Sequence, residues 1–148
     1  MAKRVTAAAQ PSDYIEFTFN AEAGRAYRLW IRGKAEGDYW GNDSVWVQFN
    51  GAVASDGATY AIGTTSALPW NLEECSGCGI SGWGWEDDAW GATDRNGVTL
   101  RFPNGGYQTI RIQTREDGVS IDQIVLSSER YLTTAPGAAA RSSTSRTR

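Results

Sequence analysis

A chain of 148 residues with a net charge of -3 is long enough to bury one core and lacks the basic excess that suits nucleic acid. It contains no histidine and two cysteines, which removes imidazole bases, Ser-His and Cys-His nucleophile pairs, histidine-ligated haem and any Cys/His zinc site built within one chain. No stretch of about eighteen apolar residues is present to cross a membrane as a helix.

The N-terminus, Met1-Ala2-Lys3-Arg4-Val5, has no apolar core of the signal-peptide kind. From there the hydrophobic period is two, the period of strands with one buried face. A short strand is expected over Val5–Ala9. The next carries Ile15, Phe17 and Phe19 inward, alternating with Tyr14, Glu16 and Thr18. Tyr27, Leu29 and Ile31 alternate with Arg28, Trp30 and Arg32; Val45, Val47 and Phe49 alternate with Trp46 and Gln48. Further strands are expected at Thr59–Ile62, at Val98–Phe102 and around Ile110 and Ile112. In the last run Val119 and Ile121 keep one parity while Ile124 and Leu126 take the other, so a bulge is expected near Asp122 or Gln123. Ala23-Gly24 and Glu116-Asp117-Gly118 read as turns, and Asn104-Gly105-Gly106 as a hairpin. No segment shows a helical stripe. About eight short antiparallel strands predict an all-β domain over residues 1–134, a β-sandwich of jelly-roll type. Residues 135–148, rich in Ala, Ser, Thr and Arg, read as a low-complexity tail or linker.

Gly63 to Asn96 breaks the alternation. It is glycine-rich and holds Trp70, Trp83, Trp85 and Trp90, so it reads as a long functional loop. Residues 35–94 also hold ten acidic residues and no lysine or arginine, whereas the remainder holds seven acidic and fourteen basic residues. Such a stretch is either a solvated acidic surface or the source of ligands for a hard cation, calcium above all. Glu86-Asp87-Asp88 is the best local cluster. Asp122, flanked by Ile121 and Ile124, needs an arginine, backbone N–H groups or a metal as partner. Glu73, Glu74 and Glu86 raise the question of a glycosidase acid and base, but such enzymes need a deeper cleft on a larger scaffold. No enzymatic activity is expected.

Trp30 and Trp46 fall on the outward parity of their strands, and Tyr39 and Trp40 lie nearby. Together with the loop tryptophans they are candidates for stacking on sugar rings, the alternative being that the loop packs over them. Cys75-Ser76-Gly77-Cys78 followed by glycines reads as a short disulfide pinning a loop in an oxidising compartment, with free thiols or a redox pair as the other readings. Asn42-Asp43-Ser44 fits the N-glycosylation sequon.

The segments Asp13-Tyr14-Ile15-Glu16-Phe17-Thr18-Phe19, Tyr27-Arg28-Leu29-Trp30-Ile31-Arg32, Asn42-Asp43-Ser44-Val45-Trp46-Val47-Gln48-Phe49 and Gly118-Val119-Ser120-Ile121-Asp122-Gln123-Ile124-Val125-Leu126 follow one another in a telling order. Over Tyr14–Ser128 the chain resembles the galactose-binding-like jelly rolls, in particular family 6 and family 35 type carbohydrate-binding modules of secreted bacterial proteins. The resemblance implies a non-catalytic module that binds sugars through loop aromatics at one end of the sandwich. It also implies a structural calcium held by Asp122 with acidic residues of an N-terminal strand, although Ala2–Ala9 contains no carboxylate.

Two functions are therefore expected. One is an extracellular or cell-surface carbohydrate-binding module stabilised by calcium. The other is a subunit of an extracellular homopolymeric fibre, in which a sandwich short of an edge strand accepts one from its neighbour.

Overall fold

The structure, a computed structural model, describes residues 3–72, 81–87 and 98–137. The described residues form nine strands: β1 (Tyr14–Ala21), β2 (Ala26–Ala35), β3 (Ser44–Phe49), β4 (Val53–Ala54), β5 (Leu68–Asn71), β6 (Gly84–Glu86), β7 (Thr99–Arg101), β8 (Gly106–Thr114) and β9 (Val119–Ser127). They make two antiparallel sheets, so the expected all-β sandwich is the observed class. The first sheet runs β1-β8-β3-β5; the second runs β4-β7-β2-β6, with β9 also on β2. Ile31 and its neighbours pair with β6 and with β9, which places β9 on the opposite edge of β2 from β6.

The alternating residues fill the space between the sheets. Leu29 and Ile31 of β2, Val45, Val47 and Phe49 of β3, and Ile110 and Ile112 of β8 are all buried in one cluster. Phe102 is its hub, meeting Phe19, Tyr27 and Phe49 edge-on at centroid distances of 5.3, 5.7 and 6.0 Å. The expected bulge is present: Arg32 opposes Gln123 and Gly33 opposes Ile121, leaving Asp122 as the extra residue.

Several expectations change. Val5–Ala9 forms no strand. Its backbone is spent on side chains and on the end of β8: Ala8 exchanges two hydrogen bonds with the Gln113 amide at 2.8 and 3.1 Å, and Arg4 N–H donates to the Arg115 carbonyl at 2.8 Å. Thr59–Ile62 contributes only one bridge, Ala61 with Phe49. The stretch after Gly63 is not wholly loop, because it supplies β5 and β6. Pro69 is tolerated in β5 because that strand is the edge of its sheet, where a missing N–H costs nothing. Asn104-Gly105-Gly106 closes no hairpin. It carries the chain from β7 in the second sheet to β8 in the first, and the turns at residues 22–25 and 115–118 cross between sheets in the same way.

Both outer faces of the sandwich are covered. Over the first sheet, Gln48 and Gln113 are buried and joined, Gln113 Nε2 donating to Gln48 Oε1 at 2.9 Å. Gln48 Nε2 in turn reaches the carbonyls of Ala61, Thr64 and Ser66 at 2.8–3.1 Å. Residues 3–8 and 61–66 thus lie across β3 and β8. Over the second sheet, the segment after β9 folds back on β2: the Trp30 indole donates to Tyr131 O at 2.7 Å and Arg28 Nε to Leu132 O at 3.0 Å.

Candidate functional site

The outward tryptophans fare differently from their sequence parity. Trp30 and Trp46 do point away from the core, yet both are buried, Trp30 under the segment after β9. They also belong to different sheets, so they lie on opposite outsides of the sandwich and cannot share one platform. Arg115 lies over the Trp46 ring at 5.0 Å. Trp70 is fully buried, its indole donating to Glu86 O at 2.9 Å, and it serves to fasten β6. Trp85 sits on β6 with its Nε1 buried. Trp90 lies outside the described residues.

Three candidate rings remain at the surface: Trp40 at 59% exposure, Tyr39 at 49% and Trp83 at 42%. The segments that carry them are joined. Two 3-10 turns, Glu36–Asp38 and Trp40–Asn42, follow β2, with Gly37 at φ 67° and Asp38 at φ 49°. Aspartate tolerates this left-handed conformation better than most residues. The sharp turn sets Tyr39 against Trp40, their rings 5.2 Å apart and tilted by 50°. Asp38 Oδ1 then accepts a hydrogen bond from Gly82 N–H at 2.9 Å, fastening the segment that leads into β6, and with it Trp83, beside the turn. Arg32 of β2 stacks over the Trp83 ring at 5.4 Å and donates to Asp122 Oδ2 at 3.0 Å. The Tyr39–Trp40 pair and Trp83 thus lie on segments tied by the Asp38–Gly82 hydrogen bond, with Arg32 and its partner Asp122 beside Trp83. Apolar faces with hydrogen-bonding groups at their border are what a pyranose ring requires, because its C–H face stacks while its hydroxyls pair at the rim. Sequence reading included Tyr39, Trp40 and Trp83 but missed Arg32 and Asp38, whose part depends on contacts across the fold.

Among the described residues, the carboxylates expected for calcium have other surroundings. Asp122 is paired with Arg32, the arginine alternative raised for it. Asp87 is buried 3.3 Å from the equally buried Arg28. Glu86 lies in β6, Asp88 is outside the described residues, and no group of three metal-ligating side chains occurs among the described residues. The Cys75–Cys78 pair, like Glu73 and Glu74, falls outside the described residues. Asn42 of the sequon is half-buried, its Nδ2 donating to Glu36 O at 3.3 Å, and its side chain fills the space a Cβ on Gly118 would need.

An ionic cluster around the buried Glu116 lies at the first residue of β3. Glu116 accepts a hydrogen bond from the Ser44 hydroxyl and pairs with Lys3 at 3.1 Å, while Arg115 donates to Ser44 Oγ at 2.7 Å. Burial pushes the Glu116 carboxyl up, but the Ser44 hydroxyl and the Lys3 ammonium outweigh it and hold the group below the ordinary glutamate range.

No protein family, curated protein or solved structure matches this chain.

Proposed function

We propose that this protein is a non-catalytic, extracellular carbohydrate-binding β-sandwich whose sugar platform is Tyr39, Trp40 and Trp83. The observation that carries the reading is the fastening of Trp83 beside the Tyr39–Trp40 pair by the Asp38–Gly82 hydrogen bond. Leaving three large rings in water at one place has no structural use here, since the core is complete without them. Arg32 and Asp122 border the platform as donor and acceptor, and their mutual ion pair fixes both for hydroxyl recognition. The resemblance to sugar-binding jelly rolls agrees with this, while the location of the platform comes from the contacts above.

Titration with soluble glucans and xylans, followed by calorimetry or affinity electrophoresis, tests the proposal. Trp40→Ala and Trp83→Ala are each expected to weaken binding about tenfold while leaving the melting temperature nearly unchanged. Trp30→Ala is expected to do the reverse, because that indole is buried under the C-terminal segment. Retained affinity in the Trp40→Ala, Trp83→Ala double variant would remove the platform from consideration.

A further inference from the structure

β1 is the outer strand of the first sheet, and two of its core-facing residues, Ile15 and Phe17, are not in the core, although Phe19 and Ala21 further along are packed there. Ile15 and Phe17 stand in register with Ile112 and Ile110 of β8, on the same face of the sheet. The β8 pair is 3% exposed, whereas Ile15 and Phe17 are 46% and 48% exposed. The second sheet ends at β9, whose inner residues Val119, Ile121, Ile124 and Leu126 are themselves only partly buried. Among the described residues nothing pairs with the free edge of β1.

Edge strands are normally defended against pairing by lysine, proline, a bulge or extreme shortness. β1 has none of these. It runs eight residues, Tyr-Ile-Glu-Phe-Thr-Phe-Asn-Ala, in unbroken register with β8. Its one charge, Glu16, is neutralised by Arg111 at 2.7 Å, and Arg111 also lies over the Tyr14 ring at 4.6 Å. The strip therefore offers backbone donors, backbone acceptors and apolar rings but no unpaired charge. A charged partner has nothing to complement there; an identical strip does.

We propose that β1 pairs antiparallel with β1 of a second copy of this chain, about a two-fold axis at Phe17. This register places Glu16 opposite Thr18 of the partner subunit and Ile15 opposite Phe19 of the partner subunit, so apolar residues meet on one face and no like charges meet on the other. A register centred on Glu16 would oppose two carboxylates. The four strands of the first sheet become eight across the dimer. The contact is isologous and closes on itself, giving two copies rather than the fibre expected from strand exchange.

Light scattering after gel filtration should show a concentration-dependent dimer. Phe17→Lys should weaken dimerisation by about thirtyfold or more with the strand content and melting of the monomer retained, because Phe17 is already half-exposed. Val53→Lys, on the exposed edge strand β4, should leave the dimer intact. On oxidation Phe17→Cys should crosslink to itself, since residues paired on a two-fold lie within disulfide reach, while Ile15→Cys and the wild type should not. A wild type that stays monomeric, a polymer that grows with concentration, equal loss in Val53→Lys, or crosslinking by Ile15→Cys but not Phe17→Cys would each overturn the proposal. Amide exchange gives a reading free of substitutions: β1 amides should gain protection as concentration rises, and unchanged exchange there would also overturn it.

Discussion

Glu116 shows how far one side chain depends on partners distant in sequence. Its carboxylate sits at the end of β8, buried, and remains charged because Ser44 and Lys3 meet it there. The sign of the consequence follows. The folded protein holds this group below its ordinary range, so the unfolded chain binds the proton more readily. The stabilisation is full above the ordinary glutamate range and is lost as pH falls through that range toward the lower folded value. Melting temperature measured from about pH 7 down to about pH 3 should therefore fall, and Glu116→Gln should flatten that fall while lowering stability at neutral pH. Gly118, at φ 94° in the adjoining turn, leaves room for Asn42, so the turn and the sequon asparagine are fitted to each other.

At the scale of elements, the long alternating strands were legible and the short ones were not. β2, β3, β8 and β9 announce themselves because residues of one parity face a core and those of the other parity do not, and even the β9 bulge could be seen as a change of parity at Asp122. β4 and β6 are two and three residues long, too short for a period to register, and β5 contains a proline. β6 is held by tertiary contact: it pairs with Ile31–Gly33 and accepts the Trp70 indole at Glu86 O. Gly33 is bare for the same reason, since a Cβ there would lie 2.6 Å from Trp70 Cη2. Trp70→Phe removes the indole donor to the Glu86 carbonyl and opens a small void. It should cost about 2–4 kcal/mol in a denaturant titration. Because β6 leads directly from Trp83, the same variant should also weaken sugar binding under conditions where it is folded.

Across the whole molecule, the two chain ends do work that a strand count misses. Residues 3–8 reach Gln113 and the Arg115 carbonyl on one face, and residues 131–132 cover Trp30 and Arg28 on the other. A chain lacking residues 1–9 should keep its far-UV circular dichroism but lose about 2–4 kcal/mol of stability, because the Gln113 amide loses Ala8, the Arg115 carbonyl loses Arg4 and Glu116 loses Lys3. These coverings explain why outward parity alone does not identify the exposed rings: a strand position says which way a side chain points, not what lies over it. Trp30 and Trp46 point outward into other parts of the chain, whereas Tyr39, Trp40 and Trp83 lie in turns and at a strand entrance, where they stay about half-exposed.

The sequence by itself determined the class, because period-two alternation is a local property that a sheet of any order would show. It also removed histidine chemistry, because composition needs no geometry. Which sheet each strand joins, whether a glycine turn closes a hairpin or crosses between layers, which arginine meets Asp122, and which aromatic rings stay in water were decided only by tertiary structure. Each depends on residues tens of positions apart, whose meeting is fixed by the packing of one layer on the other rather than by any neighbour in the chain.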